Sequence, residues 1–590
     1  MAAAGTQQLG RLLGGLWFLA ALLRPGSAAA AGQPSVATVD ARLAVAATGE
    51  DFVCATLDWW PPDKCDYGTC AWGRAGLLNL DLSNKVLLNA VRAFSPPLVL
   101  RLGGSLQDKV VYGTADLGGR PCAPFAKNVS EMHGFTQGCL PLRRWDELNA
   151  FFQKSAAKIV FGLNALNGRV PLPDGSVGGP WDYTNAASLI RYTANKGYRI
   201  HGWELGNELS GTGVGTRVGA DQYAADVIAL KKLIDDIYRS NPSKPLVLAP
   251  GGFFDQAWFS QLIDKTKPNL LNVITHHIYN LGPGKDTHLI DKILNPSTLD
   301  GMIGTFSNLQ GMLKSVGTST VAWVGEAGGA YNSGRHLVTD AFVFSFWFLD
   351  QLGMSAKYDT KSYCRQSLIG GNYGLLNTTT FQPNPDYYSA LLWHRLMGTK
   401  VLATTFSGTN KIRAYAHCAR DSVSNSVPIS SATSHRQPKK PSSPKEFTLN
   451  LYSACVLLVQ PGITLLLINL SGNTTTQVSV TVTTQGMVAA HKHGARKHVG
   501  GRKFRHVHGP SFTGVDEAAG AVRDEYHLTP KDCNLRSQVM LLNGRALATD
   551  AAGNIPTLEA VKVDAAQPIA VAPYSIVFAR ISHFNAPACS

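Results

Sequence analysis

The chain has 590 residues, of which 45% are hydrophobic and 9% aromatic, and its formal net charge is +14. This length fits a barrel of about 250 to 350 residues with a smaller module, and the apolar content excludes a chain that is disordered throughout. The positive charge favours polyanionic surroundings such as nucleic acid, an acidic polysaccharide or a membrane surface. Because the sequence has no zinc-finger spacing, RNA-binding aromatic signature or Walker loop, we do not expect nucleic-acid binding.

The first 32 residues have the pattern of a secretory signal peptide. Arg11 precedes an apolar run at residues 12–23, and small residues follow at 27–32. The run is too short to span a bilayer, and no later segment of adequate length lacks charges. We therefore expect a secreted protein of the extracellular space or cell wall. A retained amphipathic anchor with peripheral membrane association, and a lysosomal or vacuolar destination, stay open as alternatives.

Ten cysteines and four N-glycosylation sequons fit the same oxidising route. The sequons begin at Asn128, Asn377, Asn469 and Asn473. Close spacing or position near the chain end gives three candidate disulfides, which are Cys65–Cys70, Cys122–Cys139 and Cys418–Cys589. Cys54 and Cys364 lie in apolar strand patterns, so we expect both to be buried thiols.

Strand patterns alternate with helical patterns between residues 51 and 398. Ahead of this region, residues 37–46 alternate like a strand, and we expect residues 33–50 to pack on the C-terminal module. Eight strand-like runs follow at 52–58, 98–102, 158–163, 200–205, 246–248, 273–279, 321–325 and 363–369. Helical spacing at 183–196 and 221–240 lies between them. This alternation predicts parallel β/α units, and hence an α/β fold with a (β/α)8 barrel over residues 51–398.

From residue 399 to the end, the sequence changes to β-rich runs separated by turns, among them 463–469, 477–482 and 576–581. This pattern of short β-rich runs separated by turns predicts a β-sandwich. Residues 423–460 separate two apolar runs that should be neighbouring hairpin strands. We read them as an unstructured insertion, either a gene-model artefact or a real surface loop. The basic, His-rich tract at 491–508 has no acidic or cysteine partner, so we expect a solvated loop there and no metal site.

Two acidic residues stand where barrel strands end. Glu208 follows the fourth strand, next to Asn207, and Glu326 ends the seventh. In such barrels the loops after the strands form the active face. Glycoside hydrolysis needs two carboxylates across the scissile bond, roughly 5 to 5.5 Å apart in retaining enzymes. One must stay ionised as the nucleophile, and the other must be protonated to serve as the acid. The pair therefore predicts a retaining glycosidase.

These stretches together resemble the heparanase-like proteins of glycoside hydrolase family 79, most closely their plant branch. The specific pieces are residues 203–208, 275–279, 324–334, 371–373, 385–388 and 398–402. The resemblance implies a (β/α)8 barrel whose β-sandwich also takes an N-terminal strand, and a retaining mechanism. By position in the motifs, Glu208 matches the proton donor and Glu326 the nucleophile. We expect no cofactor and no metal.

The resemblance also implies substrate-binding positions. Asn207 matches the residue that binds the sugar 2-hydroxyl. The other matching positions around the sugar are Asp58, Ser105, His277 and Tyr279. Those around the uronic-acid carboxylate, which the family holds partly through backbone N–H groups, are Tyr331, Asn332, Ser333, Gly371, Asn372 and Tyr373. The basic loop that grips sulfated chains in animal members has no clear match, which argues against heparan sulfate as the substrate.

The sequence thus predicts a monomeric, secreted β-glucuronidase. We expect it to release glucuronic acid or its 4-O-methyl form from an acidic polysaccharide or proteoglycan glycan, such as a cell-wall arabinogalactan protein, or from small glucuronides. One alternative is a retaining β-glycosidase that acts on a neutral sugar. Another is a catalytically silent glycan-binding protein.

Overall fold

The computed structural model describes residues 35–211, 215–420, 462–484, 521–582 and 586–590. The predicted signal peptide, the insertion at 423–460 and the His-rich tract lie outside the described residues. Among the helices that the structure does describe, none is both long enough and apolar enough to cross a membrane.

Eight parallel strands form a closed barrel. Strand β1 (Ser35–Ala47) precedes them. The barrel strands are β2 (Val53–Asp58), β3 (Val99–Gly103), β4 (Lys158–Leu163), β5 (Gly202–Leu205), β6 (Leu246–Gly252), β7 (Val273–Ile278), β8 (Val321–Ala327) and β9 (Ser362–Arg365). Each barrel strand pairs with its neighbours in chain order, and β9 pairs with β2 to close the ring. The predicted (β/α)8 barrel is therefore confirmed. Its strands are buried because helices cover the barrel from outside and side chains fill it from inside.

Ten helices among the described residues surround the barrel or join it to the second domain. They are α1 (Lys85–Arg92), α2 (Leu142–Ser155), α3 (Thr184–Asn195), α4 (Ala220–Ile237), α5 (Gln256–Thr266), α6 (Leu289–Ile293), α7 (Pro296–Asp300), α8 (Ile303–Val316), α9 (Phe344–Lys357) and α10 (Pro385–Leu396). Helices α9 and α10 are buried on nearly all sides. They contact both the barrel layer and the C-terminal sheet. A helix packed on both sides needs apolar residues around most of its surface, and not only along one face.

The second domain is an eleven-stranded mixed sheet. Besides β1, its strands are β10 (Met397–Ser407), β11 (Ile412–Ala419), β12 (Ile463–Asn469), β13 (Thr476–Thr483), β14 (Val522–Pro530), β15 (Met540–Leu542), β16 (Arg545–Ala546), β17 (Val561–Asp564), β18 (Ile569–Val571) and β19 (Ile576–Ile581). The spatial order is β16-β15-β14-β19-β12-β11-β10-β1-β13-β18, with β17 paired to β14. Strand β18, at one end, packs back on β12 and β19, which gives the sheet two layers.

Strand β12 shows how this sheet joins the barrel. Leu466 and Ile468 belong to the large core shared with the barrel helices, whereas Leu465 and Leu467 belong to a separate core inside the sheet. Successive side chains of a strand point to opposite faces, so a strand buried on both faces is apolar throughout. The N-terminal strand β1 lies within the same sheet, antiparallel to β10 and parallel to β13.

Four disulfides lie in the described part of the chain. Three join the pairs Cys65–Cys70, Cys122–Cys139 and Cys418–Cys589. The prediction that Cys54 and Cys364 are buried thiols is wrong, because they form the fourth disulfide. The register of β2 and β9 places these two residues directly opposite each other, with Cα atoms 4.1 Å apart. The first and last barrel strands are thus joined covalently.

The four sequons differ in accessibility. Asn128 and Asn473 are exposed and Asn377 is half-buried. Asn469 is fully buried, and its Nδ2 donates hydrogen bonds to the carbonyls of Thr474, Val571 and Ala572 at 2.9 to 3.1 Å. A glycan would replace one hydrogen of this buried amide, so a glycan at Asn469 would disrupt these contacts in the folded protein.

Candidate active site

A cavity of about 350 Å³ opens where the barrel strands end. The predicted catalytic pair, Glu208 and Glu326, lines it. Seven other predicted site residues line it as well, namely Asp58, Ser105, Tyr279, Tyr331, Asn332, Ser333 and Tyr373. The loops after the strands therefore bring together residues from distant parts of the sequence, as expected for the active face of a barrel.

Glu208 is held in a tight turn after β5. Gly206 and Glu208 have positive φ angles of 70° and 58°, a region that non-glycine residues rarely adopt. The Glu208 N–H donates to the Gly251 carbonyl at 2.6 Å, and the Asp108 carboxylate accepts the Asn207 N–H at 2.8 Å. A non-glycine residue in this conformation persists only when its surroundings fix it. The turn thus presents the Glu208 side chain to the cavity in a set direction.

Glu326 lies in β8 and is buried among hydrogen-bond donors. The Tyr279 hydroxyl donates to its Oε1 at 2.6 Å, and Nη1 of Arg101 donates to its Oε2 at 2.7 Å. Arg101, itself fully buried, also donates to Oε2 of Glu204 at 2.7 Å and to Oδ1 of Asn207 at 2.8 Å. One guanidinium therefore fixes the nucleophile candidate and the residue beside the proton-donor candidate.

The two candidate catalytic carboxylates are close together. One oxygen of Glu208, one oxygen of Glu326 and one ring nitrogen of His277 all lie within 4.8 Å of one another. Nδ1 of His277 is 2.9 Å from Oε1 of Glu208. Oxygens this close fit the carboxyl spacing of retaining glycosidases, roughly 5 to 5.5 Å, better than the roughly 6.5 to 9.5 Å of inverting ones.

The electrostatics favour an ionised Glu326. Burial raises the pKa of its carboxyl, but the charges of His277 and Arg101 and the hydrogen bond from Tyr279 outweigh burial and lower the pKa below its usual value. An ionised carboxylate is the form that a nucleophile requires. The Glu208, His277 and Glu326 atoms are also close enough to hold a cation, although their contacts with one another, Tyr279 and Arg101 account for the arrangement without one.

Asp58 lies at the end of β2 and borders the cavity. It accepts hydrogen bonds from the Trp59 N–H at 2.6 Å and from Nε2 of Gln366 at 3.0 Å. Burial, followed by the charge of Glu326, raises the pKa of Asp58 to about 7. Its carboxyl can therefore change charge near neutral pH. Two other predicted residues, Asn207 and His277, lie just behind the cavity wall, where they contact Arg101 and Glu208.

The residues predicted around the uronate carboxylate fall into two groups. Tyr331, Asn332, Ser333 and Tyr373 line the main cavity. Gly371 and Asn372 line a neighbouring cavity of about 200 Å³. The Asn372 N–H donates to the Ser333 carbonyl at 2.8 Å, so this backbone donor is already occupied.

Several residues of the site were not predicted. Arg101 and Glu204 hold the catalytic groups from behind, and a signal for them existed, since each is a charged residue inside an apolar strand run. The cavity is also lined by Trp60, Lys64, Asp66, His133, Phe253 and Gln366. These lie in loops, or at a strand end, where polar and aromatic residues are ordinary, and the sequence alone gave no signal for them.

The chain is similar to known proteins over most of its length. The model of "Glycosyl hydrolase family 79, N-terminal domain" matches residues 34–353. Heparanase-like protein 3 from Arabidopsis thaliana is 52% identical over 550 residues, which cover 93% of each chain. Baicalin-beta-D-glucuronidase from Scutellaria baicalensis is 41% identical over 552 residues, covering 91% of this chain and 90% of that one.

Solved structures show the same architecture at low sequence identity. The alpha-L-arabinofuranosidase of Thermotoga maritima superposes with a TM-score of 0.56 at 14% identity, covering 93% of this chain and all of the other. A 4-O-alpha-L-rhamnosyl-beta-D-glucuronidase from Fusarium oxysporum gives a TM-score of 0.55 at 12% identity, covering 92% of this chain and all of the other. At such identities these matches show the fold alone.

Proposed function

Because this chain belongs to glycosyl hydrolase family 79, we propose that it is a retaining β-glucuronidase with Glu208 as proton donor and Glu326 as nucleophile. The observation that carries the proposal is the pair of carboxylates within 4.8 Å at the mouth of the barrel. Glu326 is buried among donors, which suits a nucleophile, and Glu208 projects from a turn into the cavity, where it can reach a leaving oxygen.

The reaction proceeds in two displacements. In the first, a carboxylate oxygen of Glu326 bonds to the anomeric carbon while the glycosidic C–O bond breaks and Glu208 gives its proton to the leaving oxygen. In the second, Glu208 removes a proton from water, whose oxygen displaces Glu326 and restores the original configuration. Tyr279 and Arg101 hold the nucleophile in place throughout. Because Arg101 occupies Oδ1 of Asn207, the Nδ2 group is the donor left for the sugar 2-hydroxyl.

The relatives favour a glucuronide over other glycosides. Besides the baicalin glucuronidase, the matched proteins include a hyaluronoglucuronidase from Hirudo nipponia, 31% identical over 288 residues. We infer that this chain releases β-linked glucuronic acid, or its 4-O-methyl form, from cell-wall glycans such as arabinogalactan proteins or from small glucuronides. The four disulfides of the described residues suit maturation in an oxidising compartment, which supports secretion.

One wall of the cavity carries an exposed aromatic ring, that of Phe253. Phe253 follows β6 and is 41% exposed. Its ring lies 6.4 Å, centroid to centroid, from the rings of both His277 and Tyr279. Since His277 contacts Glu208, and Glu208 protonates the leaving oxygen, the aglycone should lie against this phenyl ring. An aromatic or sugar aglycone can stack there.

The deciding experiment compares kcat/KM of the purified protein on an aryl β-glucuronide and on the matching aryl β-glucoside, with Glu326→Gln as the background control. We expect turnover of the glucuronide and a strong preference for it. A preference for the glucoside would favour the neutral-sugar alternative. Binding of glycans without turnover of either substrate would indicate the silent binding protein.

A further inference from the structure

The cavity is acidic, yet its proposed substrate is an anion. Four carboxylates line it, those of Asp58, Asp66, Glu208 and Glu326. Among the described residues around it, Lys64 is the one lysine or arginine. His133 also borders the cavity, but burial, and then the charges of Lys109 and Lys64, lower its pKa to about 4, so its ring is neutral at ordinary pH. The positive charge available to a ligand in the cavity is therefore that of Lys64.

Lys64 is held in a fixed position. Its Nζ lies 2.8 Å from Oδ1 of Asp66 and 4.4 Å from the centroid of the Trp60 ring. The loop that follows is closed by the Cys65–Cys70 disulfide. The Lys64 side chain is 18% exposed. An ammonium group has three N–H donors, and Asp66 takes one, so donors remain for a ligand. A cation that is already fixed loses little side-chain freedom when it binds an anion.

The position of Lys64 in the barrel places it away from the leaving group. Its loop follows β2, which lies four strands from β6 in a ring of eight, so their loops face each other across the mouth. The loop after β6 carries Phe253, on the Glu208 side. Lys64 therefore belongs to the wall opposite Phe253. With the aglycone against Phe253, as proposed above, the sugar that becomes attached to Glu326 faces Lys64.

The same wall holds residues suited to a carboxylate. Asp66, the partner of Lys64, accepts a hydrogen bond from the Ser333 hydroxyl at 2.5 Å. Ser333 in turn accepts one from Nε1 of Trp72 at 2.9 Å, and the Trp72 and Tyr373 rings are 6.2 Å apart. Lys64, Ser333 and Tyr373 thus form one connected surface. The Asn372 N–H is occupied by the Ser333 carbonyl and is not free to bind a carboxylate, whereas Lys64 has N–H groups to offer.

We propose that Lys64 is the cationic part of a carboxylate-binding subsite that selects an acidic sugar over its neutral counterpart. The proposal rests on the proposed glucuronidase function and names the residue that gives it selectivity. Without Lys64, a uronate would meet the ionised Glu326 with no positive charge on the cavity wall to offset the repulsion. A lysine acts there as a point charge and does not require the planar geometry of an arginine pair.

The test uses Lys64→Gln with Lys109→Gln as the matched control. Lys109 also lies near His133, but its Nζ bonds Glu131 at 2.8 Å and does not border the cavity. With a 4-nitrophenyl leaving group, which carries no acid, Lys64→Gln should lower kcat/KM for the β-glucuronide by about 10- to 100-fold, mainly through KM. The β-glucoside value should be unchanged or higher, and Lys109→Gln should change neither. An equal loss on both glycosides would overturn the proposal, because it would mean a structural role.

Binding to the Glu326→Gln protein separates this inference from the proposed function, since it needs no turnover. Isothermal titration calorimetry with free glucuronic acid and glucose should show tighter binding of the acid, and adding Lys64→Gln should remove that difference. If the wild-type protein hydrolyses no glucuronide but the difference is seen, the proposed function fails while the subsite stands. If the glucuronide is hydrolysed and Lys64→Gln leaves the preference intact, the subsite is refuted. If Lys64→Gln impaired turnover only of substrates whose leaving group carries an acid, Lys64 would bind the aglycone and not the sugar carboxylate. That result would also refute the subsite.

Discussion

A carboxylate oxygen of Glu208 lies within 4.8 Å of a carboxylate oxygen of Glu326, although 117 residues separate them along the chain. Glu208 follows β5 and Glu326 lies in β8, three places away in the barrel. An inverting reaction places a water molecule between the second carboxylate and the sugar, and its two carboxyl groups are roughly 6.5 to 9.5 Å apart. The closer spacing in this protein allows Glu326 to reach the anomeric carbon directly. The stereochemistry of the product therefore follows from the spacing of two side chains.

Replacing either acid should nearly abolish turnover of an aryl β-glucuronide, and the cause of the loss differs between the two residues. Glu208→Gln removes general acid catalysis and should lower kcat/KM by about 10²- to 10⁴-fold. Glu326→Gln removes the covalent route and should cost at least as much. For Glu208→Ala, added azide should restore activity and give an azido sugar of retained configuration. NMR analysis of the anomeric centre checks this, and an inverted azide would contradict the assignment of roles.

Tyr279→Phe should move the acid limb of the pH profile. The Tyr279 hydroxyl is one of the groups that lower the pKa of Glu326. Glu326 must be ionised to react, so activity is lost as the pH falls through its pKa. Without the hydroxyl this pKa is higher, and the acid limb of kcat/KM should shift to higher pH, with a loss of about tenfold at the optimum. Tyr67→Phe is a suitable control, since this hydroxyl contacts Asn332 and not the catalytic acids.

The folded protein should lose stability between pH 4 and pH 7 partly because of Asp58. Its pKa is about 7 in the folded state, against about 4 for an aspartate in an unfolded chain. Within that window the folded state binds a proton that the unfolded state has released, so the free energy of unfolding falls as the pH rises and levels off above 7. Asp58→Asn should reduce the difference in Tm between pH 5 and pH 7.5 by about 3 °C. The exposed Asp63→Asn variant should leave that difference unchanged.

Removing the Cys54–Cys364 disulfide should destabilise the barrel more than removing Cys65–Cys70. The first bond closes a loop of 310 residues and the second a loop of 5. The entropy that a crosslink removes from the unfolded chain grows with loop length, which gives about 6 kcal/mol for the long loop and about 2 kcal/mol for the short one. Chemical denaturation of the two double Cys→Ser variants measures the difference. Equal losses would indicate that loop closure is not the source of the stabilisation.

Glycopeptide mass spectrometry of the secreted protein should find glycans at Asn128 and Asn473 and none at Asn469. The first two side chains are exposed, whereas the Asn469 amide is buried and makes three hydrogen bonds. Asn469→Gln should lower the free energy of unfolding by about 1 to 3 kcal/mol, because it displaces a buried amide whose carbonyl partners then lack a donor. Asn473→Gln should leave stability nearly unchanged. A glycan on Asn469 would show that it is modified before the sheet forms.

Much of the catalytic centre could be predicted because the strand ends can be read from the sequence. A run of apolar residues followed by an acid places Glu208 and Glu326 at the active face, whatever the details of the loops. The exact residue at which a strand ends is harder to predict from the sequence. Strand β6 was expected to stop at residue 248, but it continues to Gly252, where it pairs with β7 at His276. Pairing in the closed barrel there overrides the turn signal of the Pro-Gly-Gly sequence.

What the sequence could not show depends on contacts between distant residues. An apolar strand looks the same whether its cysteine is a thiol or a disulfide, and Cys54 meets Cys364 only because the barrel closes. The role of Lys64 depends in the same way on where its short loop lies relative to the cavity. Asn469 fits the sequon pattern, but its burial follows from the packing of β12 against chain segments about a hundred residues further on.

The place of β1 inside the C-terminal sheet has a consequence for the order in which the protein can assemble. Ala47 pairs with Lys400, and Val39 lies between Thr404 and Val482, so the earliest described segment needs partners that the ribosome makes much later. Until then the backbone N–H and C=O groups of β1 have no strand partners and can pair with strands of other chains. The sheet can be completed only after the intervening barrel has been synthesised. We therefore expect a nascent chain that depends on chaperones for longer than a barrel alone would.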